Sequence, residues 1–212
     1  MQEANDHMGQ LRRGRTVQFK FFTLAAVFIL TFSAAVIWLY MQERENLFND
    51  RRQMVKYQVE TAWGILDYFG RQSRNQMLTV DEAQQRAIAA IRDLRYGDSG
   101  YFWINDTGRP HPRMIMHPTV PELEGKVLND PKFNCALGKK ENLFVAFRDV
   151  TQKDGEGFVD YFWPKPTKRG LTVEQPKLSF VKLYPEWNWI IGNGLYIDNV
   201  NQELSSILYK NL

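Results

Sequence analysis

The stretch Phe21–Met41, FFTLAAVFILTFSAAVIWLYM, runs for 21 residues without a charge. As a helix it would rise about 31 Å, the thickness of a bilayer's hydrocarbon core. It has no polar face, so it reads as a membrane span and not as the buried helix of a soluble core. Trp38 and Tyr40 at its far end suit the interfacial aromatic belt. Ahead of it stand Arg12, Arg13, Arg15 and Lys20 against Glu3 and Asp6, a local balance of +2. Behind it Glu43, Arg44 and Glu45 mix their signs. The bias of positive charge toward the inner side therefore predicts residues 1–20 in the cytoplasm and the chain beyond about residue 41 outside. A cleaved signal peptide is the alternative, with Ser33-Ala34-Ala35 as its small-residue site. The apolar run exceeds the usual length of such a peptide and helix-forming sequence follows at once, which favours an uncleaved anchor.

The whole chain carries +3, so little positive charge remains past residue 20. That excludes a surface built for a phosphate backbone, and no nucleic acid partner is expected. Cys135 is the one cysteine, so no disulfide can form within the chain.

No proline interrupts residues 41–78, and Val55, Val59, Ala62, Leu66 and Phe69 form one apolar stripe at helical spacing. The spacing predicts a long rod packed on its own domain along one part and on a second copy, as a homodimer, along another. Thr79 and Glu82 make a capping box for a second helix, with Ala87, Ile88, Ile91 and Leu94 facing inward and Gly97 as terminator. Alternation and turn residues then predict strands over 100–106, 113–117, 157–164, 177–185 and 187–197. Residues 118–140 and the Pro- and Lys-rich 164–176 read as loops, and Leu143–Val150 as a short helix. An amphipathic helix over 198–212 closes the chain and is expected to lead toward a second membrane span. Helices gathered on one side of five antiparallel strands make an α+β domain.

Arg95 continues the inner stripe of the second helix, and Lys182 shares a strand face with Leu178, Phe180 and Tyr184. Two cations on inward faces require an anion, because burying an unpaired charge is costly. Pairing of Arg95 with Asp98 or Asp160, and of Lys182 with Glu186 or water, is the alternative. The string Gly97-Asp98-Ser99-Gly100 matches the surroundings of a serine protease nucleophile, but the one histidine ahead of it is His7, across the membrane. His111, His117 and Cys135 lack the spacing of a zinc site. No catalytic residues, metal or cofactor are expected.

LRYGDSGYFWIND (94–106), MIMHP (114–118) with PELEGK (121–126), GFVDYFWPKP (157–166) and KLSFVKLYPEWNWIIGNGLYIDNV (177–200) stand in a characteristic order. In these blocks the chain resembles the single-Cache, PAS-like extracytoplasmic sensory domain of bacterial chemoreceptors and sensor kinases. The resemblance implies a five-stranded antiparallel sheet with flanking helices over residues 42–197, following a cytoplasmic tail 1–20 and a transmembrane helix 21–41. It implies a receptor in the bacterial inner membrane that binds a small carboxylate of the acetate, propionate, pyruvate or lactate class. By that likeness Arg95 would clamp the carboxylate, and Tyr101, His117, Tyr161, Trp163 and Lys182 would line the pocket. PHPR (110–113) and Phe133–Glu141 depart from the family pattern beside this site. A single-anchor dimerisation protein with a non-binding fold of the same kind is the alternative.

Overall fold

The computed structural model describes residues 2–97, 99–136, 138 and 141–198, with side chains from residue 19 onward. The chain forms two compact units, Met1–Leu47 and Phe48–Leu212. Helix α1 (Gln2–Arg74) contributes to both. In the first unit the large apolar side chains of residues 19–41 are exposed, from Phe19 at 73% to Met41 at 63%. By length and apolar composition this segment is long enough to cross a membrane.

In the second unit, the stripe on α1 does what its spacing predicts: Val55, Val59, Ala62 and Leu66 are buried. Helix α2 (Val80–Arg92) starts on the expected capping box, with Glu82 N–H donating to Thr79 Oγ1 at 3.2 Å and Thr79 N–H to Glu82 Oε2 at 2.9 Å. The strands are β1 (Arg95–Tyr96), β2 (Gly100–Asp106), β3 (Met114–Met116), β4 (Asn134–Ala136), β5 (Glu141–Asn142), β6 (Glu156–Thr167), β7 (Gly170–Tyr184) and β8 (Trp189–Tyr196), with helix α3 (Leu143–Asp154) between β5 and β6. They build one antiparallel sheet in the order β1-β2-β8-β7-β6-β4-β5, and β3 pairs with β2.

All five expected strands are present, and β1, β4 and β5 are short additions that bring the sheet to eight. Residues 164–176 are not a loop. They are the arms of a long hairpin closed at Lys168-Arg169, with Thr167 opposite Gly170. Its prolines fit because Pro164 and Pro166 lie beyond the β4 contact at Tyr161, and Pro176 lies before β8 joins at Lys177. The helices do not gather on one side either. Cores form on both faces: α1 and α2 cover Phe102, Ile104, Phe180 and Ile191, while α3 and the loops cover Tyr101, Trp103, Val159, Tyr161 and Val181. A sheet whose inward residues are apolar in both registers needs cover on both sides. The expected C-terminal helix lies, from residue 199 on, outside the described residues.

Polar contacts lock α1 to the sheet. Trp63 Nε1 donates to the Leu183 carbonyl at 2.8 Å, and Asn193 Nδ2 to Gln58 Oε1 at 2.9 Å. Lys56 Nζ donates to Glu156 Oε1 at 2.7 Å.

Candidate functional site

On the α3 face, the register of three strands sets Tyr161, Lys177 and Tyr196 side by side across β6, β7 and β8. One step along, Ser179 lies between Val159 and Gly194, and Gly192 stands opposite Trp103. The glycines make room: a Cβ on Gly192 would sit 2.3 Å from the Trp103 ring, and one on Gly194 would sit 2.0 Å from Ser179 Oγ. The floor is thus cut low so that an indole and a hydroxyl can lie over it.

Lys177 is the centre of this arrangement, buried at 1% exposure. Its Nζ donates to Tyr101 Oη at 2.9 Å and lies 4.1 Å from the Tyr101 ring, 4.7 Å from that of Tyr196 and 5.3 Å from that of Trp103. Aromatic faces attract the ammonium but do not neutralise it. No acidic group among the described residues pairs with it, and burial pushes its pKa well below that of a free lysine.

His117 closes one side, with its ring 5.2 Å from Tyr101 and 5.8 Å from Trp163. The backbone N–H of Val120 donates to its Nδ1 at 3.1 Å, so the ring is neutral and its proton sits on Nε2. Burial first, and then the Lys177 charge, push His117 down to about 3. The loop carrying it is held from outside: Glu124 Oε1 accepts from His117 N–H at 2.9 Å, and Arg92 grips both Glu124 oxygens at 2.7 and 2.9 Å. Tyr161 Oη and Ser179 Oγ are bonded at 2.9 Å. Burial raises the Tyr101 phenol to about 12 and raises Tyr161 as well, so both stay protonated as donors. Trp103 Nε1 and Trp163 Nε1 are buried and meet no acceptor at hydrogen-bonding geometry among the described residues. A buried amine without an acidic partner among the described residues and two unsatisfied N–H groups stand in one aromatic cage, where an anionic acceptor would favour the ammonium form. The adjoining cavity, lined by Tyr101, Trp103, His117, Phe144, Phe147 and Trp163 among others but not by Lys177 itself, is about 10 Å³, room for roughly one water.

Of the residues singled out from the sequence, Tyr101, His117, Tyr161 and Trp163 come together here. Arg95 does not lie on the buried stripe of a helix. The helix ends at Arg92, Asp93 caps it, and Arg95 is an exposed residue of β1 whose Nη1 donates to the carbonyls of Arg92 and Leu94. It is the strand partner of Tyr101, at the edge of the cage. Asp98, one of its suggested partners, lies outside the described residues. Lys182 faces α1 on the opposite side of the sheet, paired with Glu156, its neighbour across the strands. Its counter-charge is built in, though by Glu156 and not Glu186. Lys177, Trp103, Ser179 and Tyr196, which share this face of the sheet, are not among the residues that the sequence singles out. The alternation of Lys177, Ser179 and Val181 in KLSFVKL was the available signal, but only the hairpin register sets Lys177 beside Tyr161.

A helix-flanked antiparallel sheet with a cage on one face defines a sensory α+β module, and this chain belongs to the Cache domain family, whose model matches residues 35–212. It is 34% identical over 163 residues to the methyl-accepting chemotaxis protein McpP of Pseudomonas putida, covering 76% of this chain and 28% of that protein. The chain therefore spans less than a third of that relative's length. Two solved structures align with it at a TM-score of 0.62 each. One is the periplasmic sensor domain of a chemotaxis protein, 40% identical, with 71% of this chain and 97% of that one covered. The other, solved as the structural basis for carboxylic acid recognition by a Cache chemosensory domain, is 36% identical, with 72% and 97% covered.

Proposed function

We propose that this chain is the ligand-sensing part of a bacterial membrane receptor and that its cage takes a small monocarboxylate. The observation that carries the reading is Lys177, an amine sealed among aromatic rings with no acidic partner among the described residues, whose charged form an anion would restore. A carboxylate would supply the charge, accept from Lys177 Nζ and the Tyr101 hydroxyl, and satisfy the indole N–H groups nearby. His117 and Tyr161 complete the wall, while Arg95 stands at its edge. The kinship with a Cache domain solved for carboxylic acid recognition supports the ligand class, and the relatives that are chemotaxis receptors support the signalling role.

The site is nearly filled by its own side chains, so binding must open it. An event that costs a rearrangement is what a sensor needs, because only a ligand with different affinity for two states shifts them. The apolar run 21–41 anchors the chain in the inner membrane with residues 1–20 cytoplasmic and the sensing unit periplasmic. Exposed Met54 and Tyr57 on α1 are surfaces a second copy would cover. The tightness of the cage is also what favours the alternative, a non-binding dimerisation arm.

Calorimetric titration of the purified chain in detergent with acetate, propionate, pyruvate and lactate decides between them. Saturable heat with at least one acid, lost in Lys177→Met, is the expected result. Silence toward every acid, with no rise in melting temperature, ends the sensor reading.

A further inference from the structure

Next to the cage, around the far edge of Trp163, lies a groove of about 170 Å³. It is walled by Val120, Leu123, Phe133, Phe162 and Leu171, and it forms where the sheet narrows to the β6–β7 hairpin. Trp163 lines both hollows. Its indole is 7% exposed, stacks on Phe133 at 6.2 Å and 20°, and meets Phe144 edge-on at 6.1 Å. One ring thus stands between the cage and a groove whose walls are mainly apolar.

We propose that Trp163 is the specificity-determining partition of this site, and that the groove behind it is a subsite for the hydrocarbon tail of a carboxylic acid whose head is held in the cage. The inference rests on the carboxylate reading above. With the indole in place the cage admits only the shortest acids. With it removed, the two hollows join and a longer chain fits with its head on Lys177.

The charges around the groove fix the orientation. Glu122 and Glu174 line it, and the one cation among its lining residues, Lys132, already pairs with Asp130 at 3.3 Å. A carboxylate head would be repelled there, whereas an alkyl tail would not. The same argument disfavours dicarboxylates of matching length, whose second carboxylate would reach those glutamates.

The test is a chain-length series, straight monocarboxylates from two to six carbons, titrated by calorimetry into the full chain in detergent. Wild type is expected to bind the two- and three-carbon acids best and to weaken as the chain lengthens. In Trp163→Ala the optimum moves to the longer acids. The five-carbon acid gains about tenfold over its wild-type affinity, what burying two further methylene groups is worth. Trp163→Phe, which keeps a ring in the cluster, shifts the optimum the same way by less, and it decides the matter should the alanine variant not fold. An unchanged chain-length profile in both variants, with short acids still bound, overturns the partition and leaves the carboxylate reading standing. Wild type that binds no acid of any length overturns both.

Discussion

Lys177 and Lys182 stand five residues apart on one strand, an odd separation that sends them to opposite faces of the sheet. On the α1 face, Lys182 meets Glu156, which Lys56 also grips, and the Lys182 side chain keeps 25% exposure. The glutamate is held below the usual carboxylate range by those two amines. On the α3 face, Lys177 is sealed in and, among the described residues, its amine meets a phenol and aromatic rings but no acid. The first lysine is a fastener between helix and sheet, its charge cancelled within the fold. The second has no counter-charge among the described residues. Inwardness by itself therefore does not mark a binding cation; the test is whether the fold already provides the counter-charge.

The sharpest way to break this contrast is to remove each amine in turn. Lys177→Met is expected to abolish acid binding, a loss of about 2–5 kcal/mol for a buried charge pair. It should also raise the melting temperature of the ligand-free chain, because an unpaired buried amine gives way to an apolar side chain of similar length. Lower stability with binding retained would show that Lys177 is structural.

Acid titration is the next largest effect. His117 has its pKa lowered to about 3 in the fold, so the unfolded chain binds more protons between there and the free value of 6.5. Stability from this residue is complete above pH 6.5 and is lost as pH falls toward 3. The loss is on the order of 4 kcal/mol at the lower end. Urea unfolding of wild type and His117→Asn across that range should show the slope in the first and its reduction in the second.

Gly192→Ala drives a methyl into the Trp103 ring and is expected to cost about 1–3 kcal/mol and to weaken acid binding, as read by melting and by titration. The smallest effects belong to the other face and the cage edge. Lys182→Met should cost about 1 kcal/mol or less, since the pair is partly solvated and Lys56 still holds Glu156. It should leave affinity unchanged. Arg95→Ala is expected to change affinity by less than about threefold, as a partly screened charge would.

Much of the fold was legible because its signals are local. The capping box at Thr79, the stripe Val55–Val59–Ala62–Leu66 and the alternation in GYFWIND each name their element without reference to anything distant. The cage was half legible. Tyr101, His117, Tyr161 and Trp163 belong to blocks that mark the family, but the cation does not follow from any one block. Lys182 was chosen because its face carries Leu178, Phe180 and Tyr184, which are buried or nearly so. That face, however, is covered by α1 and served by Glu156. Lys177 was hidden by the reading of 164–176 as a loop, which left nothing to set the strand register. Arg95 was misplaced for a related reason: periodicity carried the helix three residues past its end at Arg92.

The cage, whose adjoining cavity is about 10 Å³, has a thermodynamic consequence for any receptor built on it. Every dissociation constant measured for such a chamber is the intrinsic one divided by the fraction of molecules that happen to be ajar. Loosening the ring of Phe133, Phe144 and Trp163 would therefore sharpen apparent sensitivity while shrinking the difference between silent and occupied forms. Sensitivity and amplitude are set against each other by how snugly these aromatics close.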